Sequence, residues 1–270
     1  MPMLLRARLA RDVLDGTRMT LQSLNRWKAF GLHLAISAVI AAAMVVLVVA
    51  LWYPPPYFVA MGGAMLLRLV IGVDVVVGPL ITLIIFDPAK PSLKYDLSAI
   101  AVLQLAALAY GGYVMFEARP VYTVFVEDRL HTVPANSIDA DSLARGSSEW
   151  RPLPLLGPRI VAARKPKDPQ EVVKITIGAL AGGPDIQHLP HLYVPYSTVQ
   201  ADVARAVRPM VMLAQRGKES ADQVNEFIKA HDAGGRSLGF LPVQARNQDF
   251  TAIVDRKTGE IIGFLPITPQ

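Results

Sequence analysis

Residues 33–52 read HLAISAVIAAAMVVLVVALW, twenty positions without one Asp, Glu, Lys or Arg. A helix rises ~1.5 Å per residue, so this stretch is long enough for the ~30 Å hydrocarbon core of a bilayer. It is too long for the apolar part of a cleaved signal peptide, and no small-residue cleavage site follows it. Trp52-Tyr53-Pro54-Pro55-Pro56-Tyr57-Phe58 comes next, expected to be an interfacial aromatic belt with a helix stop. Two further apolar runs follow, MLLRLVIGVDVVVGPLITLIIF at 65–86 and LSAIAVLQLAALAYGGYVMF at 97–116. Past Pro120 the composition is that of a soluble protein. The predicted fold class is an integral membrane protein with three N-terminal transmembrane α-helices (33–52, 65–86, 97–116) followed by a mixed α+β extracytoplasmic domain. The corresponding division is a basic cytoplasmic segment 1–32, a membrane domain 33–116 and an outer domain 117–270.

Lysine and arginine set the orientation. Arg6, Arg8, Arg11, Arg18, Arg26 and Lys28 precede the first span, the loop 52–64 has no basic residue, and the loop 87–96 carries Lys90 and Lys94. Basic segments stay in the cytoplasm. The N-terminus is therefore expected inside and the C-terminal domain outside, in the periplasm of a bacterial inner-membrane protein. Residues 6–26 also suit a basic amphipathic helix on an anionic leaflet, although topology alone accounts for their charge. The net charge of +5 does not signal nucleic acid: residues 121–270 hold 17 Lys/Arg against 16 Asp/Glu, and the excess is juxtamembrane. Apolar residues make up 52 % and charged residues 18 %, below the ~25 % usual in soluble domains. With no cysteine there is no disulfide, thiolate nucleophile, Cys zinc site or iron–sulfur cluster.

Asp74 lies near the middle of the second span. A charge at that depth costs at least ~2.5–3.5 kcal/mol, so it needs a partner or a protein-lined surface. Arg68 is six residues earlier, about 120° around the helix, and can snorkel outward. Gln104 in the third span is the first candidate partner, with Ser37 and Thr82 behind it. Gly72, Gly78 and Pro79 surround Asp74. Glycines permit close helix approach, and Pro79 frees a carbonyl, that of Val75 by α-helical counting. Three readings stay open: a buried polar tie within the bundle, a contact for a partner transmembrane helix, or a proton or ion relay, for which a single carboxylate is poor equipment.

In the outer domain, 121–126 alternates as a strand. Asp139 opens a short helix to Arg145, 151–158 is a Pro-rich loop, and 159–163 is a strand. Asp168-Pro169-Gln170-Glu171 starts a helix to about Leu180, stopped by Gly182-Gly183-Pro184. A helix over 199–216, breakable at Pro209, and another over 220–231, stopped by Gly234-Gly235, precede strands at 238–245, 250–255 and 260–265, the last two joined by a turn through Gly259. His188 and His191 flank Leu189-Pro190, half of a metal site at most. Asp139, Asp141, Asp185 and Asp249 show no pairing spacing, and no catalytic or nucleotide motif occurs. No catalytic, cofactor or metal residue is assigned.

Several stretches resemble the type IV pilin accessory proteins of the TfpX/TfpZ family. They are Asn25-Arg26-Trp27-Lys28-Ala29-Phe30-Gly31-Leu32-His33-Leu34, Leu51-Trp52-Tyr53-Pro54, Gly72-Val73-Asp74-Val75-Val76-Val77-Gly78-Pro79-Leu80 and Phe86-Asp87-Pro88-Ala89-Lys90. Lys94-Tyr95-Asp96-Leu97, Leu103-Gln104-Leu105-Ala106-Ala107-Leu108-Ala109-Tyr110-Gly111, Ala118-Arg119-Pro120-Val121-Tyr122 and Leu192-Tyr193-Val194-Pro195-Tyr196 complete the set. The resemblance runs from about Asn25 to the C-terminus and leaves 1–24 as an extension. It implies an inner-membrane, chaperone-like factor that supports the stability, assembly or surface display of a type IV pilin, with other pilus-assembly membrane proteins as further partners. It implies no catalytic residue. A membrane-anchored sensor or ligand-binding module is the alternative. A membrane enzyme would need a polar cluster around His188, His191 and Asp185.

Overall fold

The computed structural model describes residues 25–231 and 235–269. The arginines before position 25, the amphipathic helix expected there, and Gly234 lie outside the described residues.

Among the described residues three helices are long and apolar enough to cross a membrane: α1 (Arg26–Trp52), α3 (Gly63–Ile85) and α4 (Leu93–Glu117). The one-turn helix α2 (Tyr57–Ala60) lies between α1 and α3. The three long helices begin two to seven residues earlier than predicted and end within a residue of the prediction. Phe86, expected in the second span, is its C-cap and packs with Ala29 and Leu93. Two stretches take the wider π turn, Val48–Trp52 at the end of α1 and Gly72–Val77 in the middle of α3.

The chain divides into two compact units, Met1–Val46 with Met65–Tyr113, and Leu47–Ala64 with Val114–Gln270. The helical unit exposes large apolar side chains such as Val39, Leu69, Ile84 and Leu103, and buries the polar residues Ser37, Asp74, Thr82 and Gln104. This inversion of the soluble pattern is what a lipid-facing bundle requires, because lipid solvates leucine as well as a core does.

The second unit is built on one mixed sheet. Its strands are β1 (Pro120–Val126), β2 (Arg129–Pro134), β3 (Arg159–Ala163), β4 (Tyr193–Pro195), β5 (Arg208–Pro209), β6 (Leu238–Gln244), β7 (Phe250–Asp255) and β8 (Ile261–Leu265). The order is β4-β3-β1-β2-β6-β7-β8, with β5 also on β6. β1 is buried along its whole length because both sheet faces are covered. Phe125 and Leu130 belong to one core cluster, and Val121, Val124 and Val133 to another on the opposite face. Helices α5 (Ala140–Arg145) and α6 (Pro169–Leu180) start as predicted, with Asp139 and Asp168 as caps. The helix expected over 199–216 is divided into α7 (Gln200–Ala206), the two-residue β5 and α8 (Val211–Ala214). Pro209 cannot donate to a helical ladder and biases Arg208 to extended backbone, so the chain pairs with β6 instead. Helix α9 (Lys218–His231) covers a third cluster through Val224 and Phe227.

One expectation is corrected. The sequence predicts a membrane-interface belt at Trp52–Phe58, but Tyr53 and Tyr57 turn into the protein. The Tyr53 hydroxyl donates to the Met115 carbonyl at 2.8 Å, and Tyr57 sits in the sheet's core cluster beside Phe125, Leu241 and Phe250. Its ring is edge-on to Phe250 and Phe264, with centroids 5.1 and 5.6 Å away, and its hydroxyl bonds Thr123 Oγ1 at 2.8 Å. The backbone N–H groups of Asn247 and Gln248 both donate to the Ala60 carbonyl, at 2.8 and 3.2 Å. The loop between the first two spans is thus part of the sheet domain's core.

Candidate functional site

The intramembrane site begins with a missing proton. In the π segment of α3 the Gly78 N–H donates to the carbonyl of Val73, five residues back. The next donor in that ladder is Pro79, which has no N–H, so the Asp74 carbonyl is left without a helical partner. Gln104 of α4 supplies the donor. Its Nε2 lies 3.0 Å from the Asp74 carbonyl oxygen and 3.0 Å from Asp74 Oδ1, so one amide group donates to both. The other carboxyl oxygen, Oδ2, is buried without a partner.

Gly78 makes this contact feasible. A Cβ there would stand 1.9 Å from Gln104 Nε2 and 2.4 Å from its Cδ, so the side chain lies directly across the glycine. Seven residues further along α4, Gly111 repeats the device: its Cβ would meet Val70 Cγ2 at 2.4 Å. Small residues at such crossings let two backbones approach and pack in lipid. Asp74, Gln104, Gly78 and Pro79 are therefore brought together, whereas Gly72 has nothing within 4 Å of its Cβ position and does not join the seam. Arg68 is exposed. Thr82, two turns beyond Asp74, bonds His33 Nδ1 of α1 at 2.7 Å, so the second polar link joins α1 to α3. Asp74 is only 7 % exposed, which leaves little of it for a partner helix.

The sheet domain carries a separate cleft of about 450 Å³ where β2 and β6 part. Those parallel strands share only the pairs Leu130↔Val243 and His131↔Gln244. His131 of that last pair, with Thr132, Asn136, Gln187, His188 and Arg246, lines the opening. Burial pushes both imidazoles below their ordinary value, and the Arg129 charge lowers His131 further. Both rings are neutral at pH 7, each presenting one donor and one acceptor. Thr132 Oγ1 is buried without a partner.

His191 does not share this cleft. Two successive 3₁₀ turns, Ile186–His188 and Pro190–Leu192, separate the histidines, and His191 Nε2 lies 3.7 Å from Glu171 beside Arg145 and Lys174. Among the described residues no group of three or more His, Asp or Glu could hold a metal ion. The scattered carboxylates have local tasks. Asp139 accepts from the Ser142 N–H and hydroxyl at 2.7 and 2.8 Å, Asp185 from Ile186 N at 2.7 Å, and Asp249 from Ala245 N at 3.0 Å. Asp141 sits in the first turn of α5. The hydrogen bonds that cap Asp139 hold its carboxyl below the usual range. Tyr57, Thr123, Thr132 and Arg246 escape sequence reasoning, because their importance comes from contacts between segments far apart in the chain.

The model of the fimbrial assembly protein FimB family matches residues 22–62, the first span and the docked loop. Two fimbrial assembly proteins of Dichelobacter nodosus, from serogroups I and E1, are 33 % and 32 % identical over 234 residues, 85 % of this chain and 90 % of each relative. A third, from serogroups C1 and C2, is 38 % identical over 118 residues, 43 % of this chain and 90 % of that protein. No solved structure matches. With an identity of about one third over 85 % of this chain and 90 % of each of these two relatives, the chain belongs to the FimB family of fimbrial assembly proteins.

Proposed function

We propose that this protein is a non-catalytic accessory factor of type IV pilus assembly, akin to the TfpX/TfpZ proteins, embedded in the bacterial inner membrane and acting on a pilin subunit. The observation that carries the proposal is the 33 % identity to a fimbrial assembly protein across 85 % of the chain. The N-terminus lies in the cytoplasm and the sheet domain in the periplasm, as the placement of basic residues favours. A pilin waiting in the membrane has one apolar helix in lipid and a globular head outside. A chain with spans in the same bilayer and a domain on the same side reaches both parts, and a chaperone-like role in stability, assembly or display follows from that position. The polar contacts of Asp74 and Gln104 serve to hold the accessory protein's own helices together, which leaves the exposed apolar helix faces for lipid and for a pilin helix.

The test is co-purification of the tagged full chain with its pilin in mild detergent, together with pilus counts in a deletion strain. Loss of surface pili on deletion, restored by the gene, is expected. Normal assembly and retraction without the protein overturns the proposal, as does alkaline phosphatase fused after Gln270 remaining inactive. The 450 Å³ polar cleft favours one second reading, a membrane-anchored ligand-binding module. It predicts a small molecule retained by the purified protein and lost on Arg246→Ala.

A further inference from the structure

The Pro-rich loop 152–158 exposes two adjacent leucines, Leu155 at 63 % and Leu156 at 66 %. An isolated exposed leucine needs no explanation, but these two occupy a particular place. The loop is fastened to the ends of two membrane spans. The Gly157 N–H donates at 2.7 Å to the carbonyl of Leu51, in the last turn of α1, where helical carbonyls have no partner of their own. Gly157 has φ +56, and its Cβ position lies 3.6 Å from Pro54, so the tight turn brings the loop against the end of the helix. On its other side, Arg119 Nε donates to the Pro154 carbonyl at 3.1 Å while Arg119 Nη1 donates at 2.6 Å to Phe116, in the last turn of α4. Trp52 and Phe116 touch edge to face, with ring centroids 5.2 Å apart. Pro154 and Gly157, the residues on either side of the leucine pair, are therefore both pinned to helix ends that carry the aromatic side chains usual at a membrane–water boundary.

We infer that Leu155 and Leu156 form a short monotopic anchor, inserted at the headgroup–acyl boundary of the leaflet where α1 and α4 emerge. Lipid is the occupant the geometry selects, because Gly157, next to the leucines, is bonded to Leu51 in the last turn of an apolar span, and Leu51 is itself 41 % exposed. Two apolar side chains at this depth add a third point of attachment beside the two helix ends and limit tilting of the sheet domain on the membrane. The inference rests on the helices spanning a bilayer and is independent of the pilin partner.

The absence of cysteine makes the test clean. Full-length Leu155→Cys and Leu156→Cys proteins are nitroxide-labelled and reconstituted in phosphatidylethanolamine/phosphatidylglycerol liposomes, and power saturation compares collision with oxygen and with a water-soluble nickel chelate. Leu105→Cys on the exposed face of α4 and Lys167→Cys in the sheet domain are the lipid and water references. Labels at 155 and 156 are expected to favour oxygen, between the two references. Values equal to Lys167→Cys overturn the anchor and leave a protein partner as the cover for the leucines. A water-exposed label at Leu105→Cys overturns the spanning of α4 and the anchor with it.

Discussion

Adding one methyl group at Gly78 is the sharpest perturbation of the intramembrane site. The three nearest atoms to a Cβ built there all belong to Gln104: Nε2 at 1.9 Å, Cδ at 2.4 Å and Oε1 at 2.8 Å. Gly78→Ala must therefore displace the Gln104 side chain by about an ångström or more, since side-chain packing tolerates little overlap. Both 3.0 Å bonds to Asp74 break together. An interhelical hydrogen bond in a membrane protein averages ~0.6 kcal/mol, and leaving buried polar groups bare adds to that, so a loss of about 1–3 kcal/mol is expected. Gln104→Ala alone breaks the same bonds and costs about the same. In the double variant the obstruction is gone, and Gly78→Ala should add almost nothing, because alanine is the better helix former by ~1 kcal/mol. The cycle should show a coupling of about 1–3 kcal/mol, measured by reversible unfolding in mixed micelles followed by tryptophan fluorescence. Additivity within ~0.5 kcal/mol would mean that Gln104 does not lie across Gly78, and the site as described would be wrong.

Three further outcomes follow from the structure. Asp74→Asn keeps an oxygen for Gln104 and should retain most of the protein in the membrane fraction, while Asp74→Ala lowers its level; wild-type amounts of both would remove the tie. Tyr57→Phe should cost ~0.5–1.5 kcal/mol by stranding Thr123, and Tyr57→Ala ~3–5 kcal/mol by opening a cavity in the sheet's core, both read as faster proteolysis of the sheet domain. His131 and His188 have folded values depressed below the ordinary 6.5, so the unfolded chain binds protons first as pH falls. Stability should be full above about pH 6.5 and decline below it, and a His131→Gln/His188→Gln variant should flatten the fall in melting temperature between pH 7.5 and 5.

The spans were legible because apolar runs of this length have one ordinary use, and lipid does not obscure the pattern with tertiary contacts. The Asp74–Gln104 pair was legible for a related reason: a lone carboxylate among valines must find a donor, and Gln104 is the one amide side chain in the three apolar runs. The π turn was not legible. It shifts the ladder by one residue and leaves the Asp74 carbonyl facing the missing donor of Pro79, a change that no residue type announces. In the sheet domain β2 was missed because Arg129-Leu130-His131-Thr132-Val133-Pro134 is polar at three positions and ends in proline, and β4 because it has only three residues. The nearness of His188 and His191 in sequence was misleading, since consecutive 3₁₀ turns send them into different clefts.

The docked loop changes what the sheet domain is. A domain starting at 117 would carry Phe125, Leu241, Phe250 and Phe264 but would lack Tyr57 and Ala60, which fill the space among them. It would also leave the Thr123 hydroxyl and the N–H groups of Asn247 and Gln248 without these partners. An unfilled core site the size of a tyrosine ring costs several kcal/mol, a large share of the ~5–15 kcal/mol that holds a typical domain folded. The sheet domain's core is therefore completed only when the turn between the first two spans is in place. On the topology proposed above, the sheet domain cannot finish folding before the turn between the first two spans has reached the same side of the membrane. For a factor proposed to act on a subunit that is itself half in lipid, that coupling ties completion of the sheet domain to insertion of the spans.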